Sequence, residues 1–229
     1  MKPTASNIIR WAGLSAVAAG VIFTAIQPIH PPDFLPSVTT TAWALIMPFK
    51  LAMSVLFLAG ITGLYARQVK ESGWLGLAGY LALSLTWALQ TAFIFAETFL
   101  LPVLAPVAPQ FVDSFLGIVN GVPGAMNIGA LPTVYNVAGL LYMLGGVLFG
   151  IATLRARVLP RWAGGVLAVA AALTPAAALL PHALQRFAAV PVGLALAWMG
   201  YTLWAERRQP AAEPAAAVGE PQLRAARVK

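Results

Sequence analysis

Six stretches of about 20 or more predominantly apolar residues, at roughly 7–28, 42–66, 73–99, 131–155, 161–181 and 185–205, leave this chain few ways to fold. Each is long enough to cross ~30 Å of hydrocarbon at ~1.5 Å per residue. In hydrocarbon every backbone N–H and C=O must find its partner within the chain, so such runs become helices. The expected fold is all-α: a polytopic membrane bundle of six transmembrane helices within residues 1–207. The tail, 208–229, is rich in Pro, Ala and Glu, has no hydrophobic period and is expected to be disordered. A cleaved signal peptide is the alternative for the first run, since Lys2 and Arg10 precede it. That run is longer than an h-region, however, and ends in Gln27-Pro28-Ile29-His30.

The chain is 60% hydrophobic and 9% charged, so its net charge of +7 has to be read from where the basic residues fall. Of the 14 Lys and Arg residues, all but Lys50 and Arg186 lie on one side of a six-span arrangement. That asymmetry orients both termini toward the cytoplasm and accounts for the charge without nucleic acid. The absence of cysteine excludes disulfides, thiolate metal sites and cysteine nucleophiles. No phosphate-binding Gly-rich loop and no Gly-x-Ser-x-Gly elbow is present, and no soluble domain is large enough to couple nucleotide hydrolysis to movement.

Short motifs recur along the runs. Trp11-Ala12-Gly13, Trp74-Leu75-Gly76 and Trp162-Ala163-Gly164 open the odd spans, while Leu64-Tyr65-Ala66-Arg67, Leu154-Arg155-Ala156-Arg157 and Leu203-Trp204-Ala205-Glu206 close the even ones. Three copies of an out-and-back helical hairpin are the simplest source of this pattern. Small residues such as Gly145, Gly146 and Gly150 would let the helices approach closely. In the longest connection, Phe111, Phe115, Leu116 and Val119 recur at helical spacing, which predicts a short interfacial helix, either covering the outer mouth or forming a re-entrant connection. Trp43, Trp74, Trp87, Trp162, Trp198 and Trp204 read mostly as interfacial belts.

The polar residues inside this apolar frame are the candidate site. Counted from Trp11, Trp74 and Trp162, the residues His30, Glu97 and His182 fall ~30 Å away along their helices, at one outer depth. Two imidazoles and a carboxylate are a ligand set suited to Zn²⁺ or another divalent metal, with Gln27 positioned to orient an imidazole and Asp33 and Asp113 as nearby carboxylates. The competing reading makes both histidines interfacial groups beside prolines. Lys50 stands inside an apolar run, where a lone charge costs several kcal/mol, so pairing with Glu97 is expected. With Lys50 and Glu97, Gln90 and Asn136 are candidates to line a substrate or ion cavity, while Thr86, Thr91, Tyr135 and Tyr142 either join them or bridge helices.

Arg161-Trp162-Ala163-Gly164, the preceding Gly-Ile-Ala-Thr-Leu-Arg-Ala-Arg-Val-Leu-Pro, and Ile29-His30-Pro31-Pro32 resemble a bacterial family of six-span membrane proteins of unknown function. The resemblance covers most of residues 7–207. It implies the six-span fold and a bacterial inner-membrane location, and it supplies neither an activity nor catalytic residues. Three functions remain open on the sequence: binding or transport of a small molecule or ion through an outer-facing polar cavity, a metal-dependent membrane enzyme, and a non-enzymatic accessory or scaffold subunit. The first and third need no catalysis and fit the motif inventory better than an enzyme. The bilayer is the expected partner, with a homo-oligomer or other membrane subunits as further candidates.

Overall fold

A computed structural model describes residues 4–180 and 182–206, and among them all regular structure is helical. Helix α1, Ala5–Ile26, begins where the Thr4 hydroxyl accepts the Asn7 N–H, which satisfies one of the free donors of its first turn. Helix α2, Thr41–Phe95, is capped in the same way by Thr40. Its 55 residues do not run straight: Gln68 (φ −118°, ψ 15°) and Gly73 (φ 56°, ψ −157°) leave helical geometry. The Gly73 conformation is one that only glycine adopts without strain. The chain reverses there, and limbs 41–67 and 74–95 lie antiparallel. Tyr65 stacks on Tyr80 with ring centroids 4.5 Å apart, and Thr91 donates to the Ser54 hydroxyl at 2.9 Å. These limbs are the expected second and third apolar runs. A Cβ on Gly73 would meet nothing within 4 Å, so Gly73→Ala tests the backbone alone. A loss of ~1–3 kcal/mol is expected in thermal unfolding of the detergent-solubilised chain.

A π-helical turn, Ala96–Leu100, and the short α3, Leu101–Leu104, extend the second limb. Helix α4, Pro109–Asn120, is the helix expected in the long connection. It buries Val112, Phe115 and Leu116 against Trp43, Met47, Phe93 and Leu101. Helix α5, Leu131–Ala156, follows. The fifth apolar run departs from expectation. Helix α6, Arg161–Ala172, has 12 residues, about 18 Å, and the chain continues as a 3-10 stretch, Thr174–Leu179. Pro175 in the first turn of that stretch carries no N–H to continue the α ladder. A single turn, α7 (His182–Gln185), a second 3-10 stretch, Arg186–Ala189, and α8, Val190–Ala205, complete the described chain. The tail 208–229 lies outside the described residues.

The helices close into a ring. Helix α1 packs on α8 and on the first limb of α2, the second limb packs on α5, α5 on α6, and α6 on α8. Glycine makes these approaches possible, as van der Waals packing between transmembrane helices requires. Gly20 faces Gly193 and Gly13 faces Gly200 between α1 and α8; Gly79 faces Phe149 between α2 and α5; Gly150 faces Gly164 between α5 and α6. Phe57, Ile61, Leu64, Leu83, Phe149, Leu167 and Met199 fill the centre. Outside, large apolar side chains such as Leu45, Val55, Leu81, Leu140, Val169 and Leu194 are exposed, a surface matched to lipid. Four helices, Ser6–Ile26, Thr41–Leu104, Leu131–Ala156 and Arg186–Ala205, are long and apolar enough to cross a membrane, and the chain is a membrane protein.

The two ends differ. At one, Arg67 pairs with Glu206 (2.8 Å), Arg10 donates to the Trp204 carbonyl (3.2 Å) and Gln68 donates to Thr153 (2.9 Å), which draws the start of α1, the bend of α2 and the ends of α5 and α8 into a basic end. Trp11, Trp74 and Trp162 are exposed there, as expected of a belt. Trp43 and Trp87 are not belt residues. Both are buried, because each lies on the inward face of its limb of α2.

Candidate functional site

The end opposite the basic one is polar inside. Residues three or four apart on each helix share a face, and the inward faces here carry Phe23 on α1 with Gln27 and His30 just after it, Lys50 and Met53 on the first limb of α2, and Thr86, Gln90 and Ile94 along the second with Glu97 in the π turn. Tyr135, Gly139 and Tyr142 supply the face of α5. Together they enclose a cavity of about 370 Å³. Val119 of α4 closes one side, and Thr174, Ala177, Arg186 and Ala188 come from the two 3-10 stretches. Irregular backbone at membrane depth is tolerated where it is buried in protein or borders a cavity, which accounts for the break in the fifth run.

Lys50 and Glu97 meet in this cavity. The Lys50 Nζ lies 2.7 Å from Glu97 Oε2, with the Glu97 side chain 3% exposed and that of Lys50 20%. The local helix geometry anchors the backbone at Glu97. In the π turn the Leu101 N–H bonds to the Ala96 carbonyl, which frees the Glu97 carbonyl oxygen that an α-helix would have used. Trp43 Nε1–H takes that oxygen at 2.9 Å, so the backbone carrying Glu97 is held from the opposite limb.

At the rim, Arg186 Nη1 donates to the His30 carbonyl at 2.9 Å and Asn120 Nδ2 donates to the Asp33 carbonyl at 2.7 Å, fastening α4 and the second 3-10 stretch to the turn after α1. His30 Nδ1 lies 2.6 Å from the Pro31 carbonyl, an acceptor, so Nδ1 carries the proton and Nε2 the lone pair. Burial, with the Lys50 ammonium next in effect, pushes the His30 imidazole down to about 4. The unfolded chain, with an ordinary imidazole near 6.5, therefore binds a proton before the folded one does. Its contribution is complete above 6.5 and is lost as pH falls from 6.5 toward 4. His30→Asn keeps an N–H donor without the titration, and is expected to flatten the stability profile in that window, measured by thermal unfolding against pH.

The deeper wall is aromatic. Trp87 stacks on Phe57 (ring centroids 4.2 Å, 27° between planes) and is met edge-on by Phe23 at 5.6 Å and Tyr142 at 6.3 Å. Its indole N–H is buried and has no hydrogen-bond partner among the described residues.

Of the sequence candidates, the structure brings Lys50, Glu97, Gln90 and His30 into one cavity, with Gln27, Asp33, Tyr135 and Tyr142. Asn136 is not among them. It stands about 100° around α5 from Tyr135 and borders a second hollow, about 330 Å³, beneath the 121–129 loop. Thr91 bridges helices, and Thr86 both bridges, donating to the Ala138 carbonyl at 3.2 Å, and lines the cavity. For the metal set, His30 and Glu97 share the cavity, whereas the His182 side chain lies outside the described residues. Glu97 is engaged by Lys50, and among the described residues no three His, Cys, Asp or Glu side chains gather to hold a metal. The described residues do not by themselves make a Zn²⁺ site. Arg186 and the indole of Trp87 were not legible as site residues, since an Arg near a helix end and a Trp in an apolar run have commoner explanations.

Fold and site define a class: an all-helical membrane bundle with an ion-paired, aromatic-walled cavity at one end. Comparison of the chain with known protein families, with curated proteins and with solved structures finds no match in any of the three.

Proposed function

We propose that this chain is a six-span protein of the bacterial inner membrane, with both termini cytoplasmic, that binds or transports a small molecule in the cavity of the Lys50–Glu97 pair. In this reading the three helical hairpins are repeats, the broken fifth run is the sixth crossing's partner, and the resemblance to the bacterial six-span family reflects common architecture. Among the described residues, Arg10, Arg67, Lys70, Arg155, Arg157 and Arg161 belong to the basic end, and Lys50 and Arg186 to the other; the basic end is the cytoplasmic one by the positive-inside rule. The cavity then faces outward.

The observation that carries the reading is the cavity's construction. At about 370 Å³ it falls at the small end of the range for ligand pockets, ~300–1,000 Å³, and combines aromatic walls with a few placed polar groups. Interrupted helices border it, as they do binding sites in many secondary transporters. A scaffold would not need to keep polar groups around an open interior at this depth.

The test is a thermal-shift panel of small polar and aromatic compounds on the detergent-solubilised protein, followed by uptake into vesicles for any that act. A ligand at ~100 times its Kd stabilises by ~2.7 kcal/mol. Stabilisation by some compound, lost in Gln90→Leu, supports the reading; a panel without effect on the native chain opposes it.

A further inference from the structure

We propose that the cavity's ligand is a zwitterion with an aromatic or apolar body. This rests on the binding role above and narrows it to one chemical class.

Charge balance is the first ground. The charged groups bordering the cavity among the described residues are Lys50, Arg186, Asp33 and Glu97, two cations and two anions, and His30 is neutral at physiological pH. A ligand of net charge would leave one charge uncompensated among mostly apolar walls, where the local dielectric is lower than in bulk water and the imbalance is costly. A ligand carrying both signs keeps the balance. The arrangement also has polarity. Glu97 and Lys50 are joined, whereas Arg186 uses Nη1 on the His30 carbonyl and has further N–H donors in its fixed fork, suited to a carboxylate or phosphate. The carboxylates of Glu97 and Asp33, which also line the cavity, are acceptors suited to an ammonium.

The second ground is the aromatic floor. Trp87, Phe23 and Tyr142 meet edge-to-face at one end of the cavity, so the apolar part of the ligand has a surface that rewards an aromatic ring. The buried Trp87 N–H without a partner is a donor whose desolvation is not offset within the described residues. An acceptor on the ligand would satisfy it. The small volume favours a metabolite-sized molecule over a lipid.

Three probes with one phenyl body separate the charge classes: phenylalanine as zwitterion, phenethylamine as cation and 3-phenylpropionate as anion. Isothermal titration on the full chain in nanodiscs is expected to show phenylalanine binding at least ten-fold more tightly than either of the others. In Arg186→Gln, checked for folding by size exclusion, phenylalanine and 3-phenylpropionate should both weaken about ten-fold while phenethylamine is unchanged. Equal or tighter binding of the cation or the anion overturns the zwitterion proposal and leaves the binding role standing. If none of the three binds, the proposal fails, and the wider thermal-shift panel then decides whether the binding role fails with it.

Discussion

Glu97→Leu is expected to destabilise the protein by ~3–5 kcal/mol, because it leaves the Lys50 ammonium withdrawn from water without its counter-ion. Lys50→Met strands the carboxylate in the same way, and Glu97, at 3% exposure, has the less favourable position from which to reach solvent. The double variant Lys50→Met, Glu97→Leu removes both charges and should recover most of that loss, since a buried pair roughly breaks even against apolar residues of similar size. Thermal unfolding in detergent reads all three. Single variants as stable as the native chain would mean that the pair is solvated and carries little. The double variant also separates stability from function: folded but without the pair, it should no longer bind the ligand.

The second large effect is expected at the seam between α1 and α8. A Cβ on Gly20 would intrude on the Gly193 carbonyl oxygen and on Ala197, and neither is the far end of a flexible side chain that could step aside. Replacing a helical glycine gains up to ~1 kcal/mol from propensity. Overpacking costs ~1–3 kcal/mol, and contact with backbone puts Gly20→Val at the upper end, so sterics win. Gly139→Ala is the control, because nothing lies within 4 Å of the added atom. It should be neutral or slightly stabilising. Size exclusion and thermal unfolding distinguish the two: a Gly20→Val protein as stable as Gly139→Ala would show that α1 and α8 are not held this closely.

Much of this was legible in the sequence because the bilayer imposes strong rules. Length and hydropathy locate the helices, and the gap between the apolar runs 42–66 and 73–99 places the turn between the two limbs of α2, whereas the role of Gly73 in it emerged only in the structure. The Lys50–Glu97 pair was legible for the same reason: a cation in an apolar run must find a partner, and counting along two antiparallel helices puts Glu97 at its depth. Helix phase was harder. Asn136 and Tyr135 are neighbours in sequence, and hydropathy does not say which of them faces inward. The break after Ala172 was hidden because 3-10 and α segments share a composition, and Pro175 alone did not fix where the α ladder stops. The π turn at Glu97 left no sequence signal, although it frees the carbonyl that Trp43 bonds.

A water-accessible cavity that faces away from the basic end can be tested directly, because the sequence has no cysteine. Gln90→Cys and Lys70→Cys would be made separately and exposed to a membrane-impermeant maleimide in intact cells, then after permeabilisation. Labelling of Gln90→Cys in intact cells, with Lys70→Cys labelled only after permeabilisation, is the result expected here. An unreactive Gln90→Cys in both conditions, or Lys70→Cys labelled from outside, would contradict it.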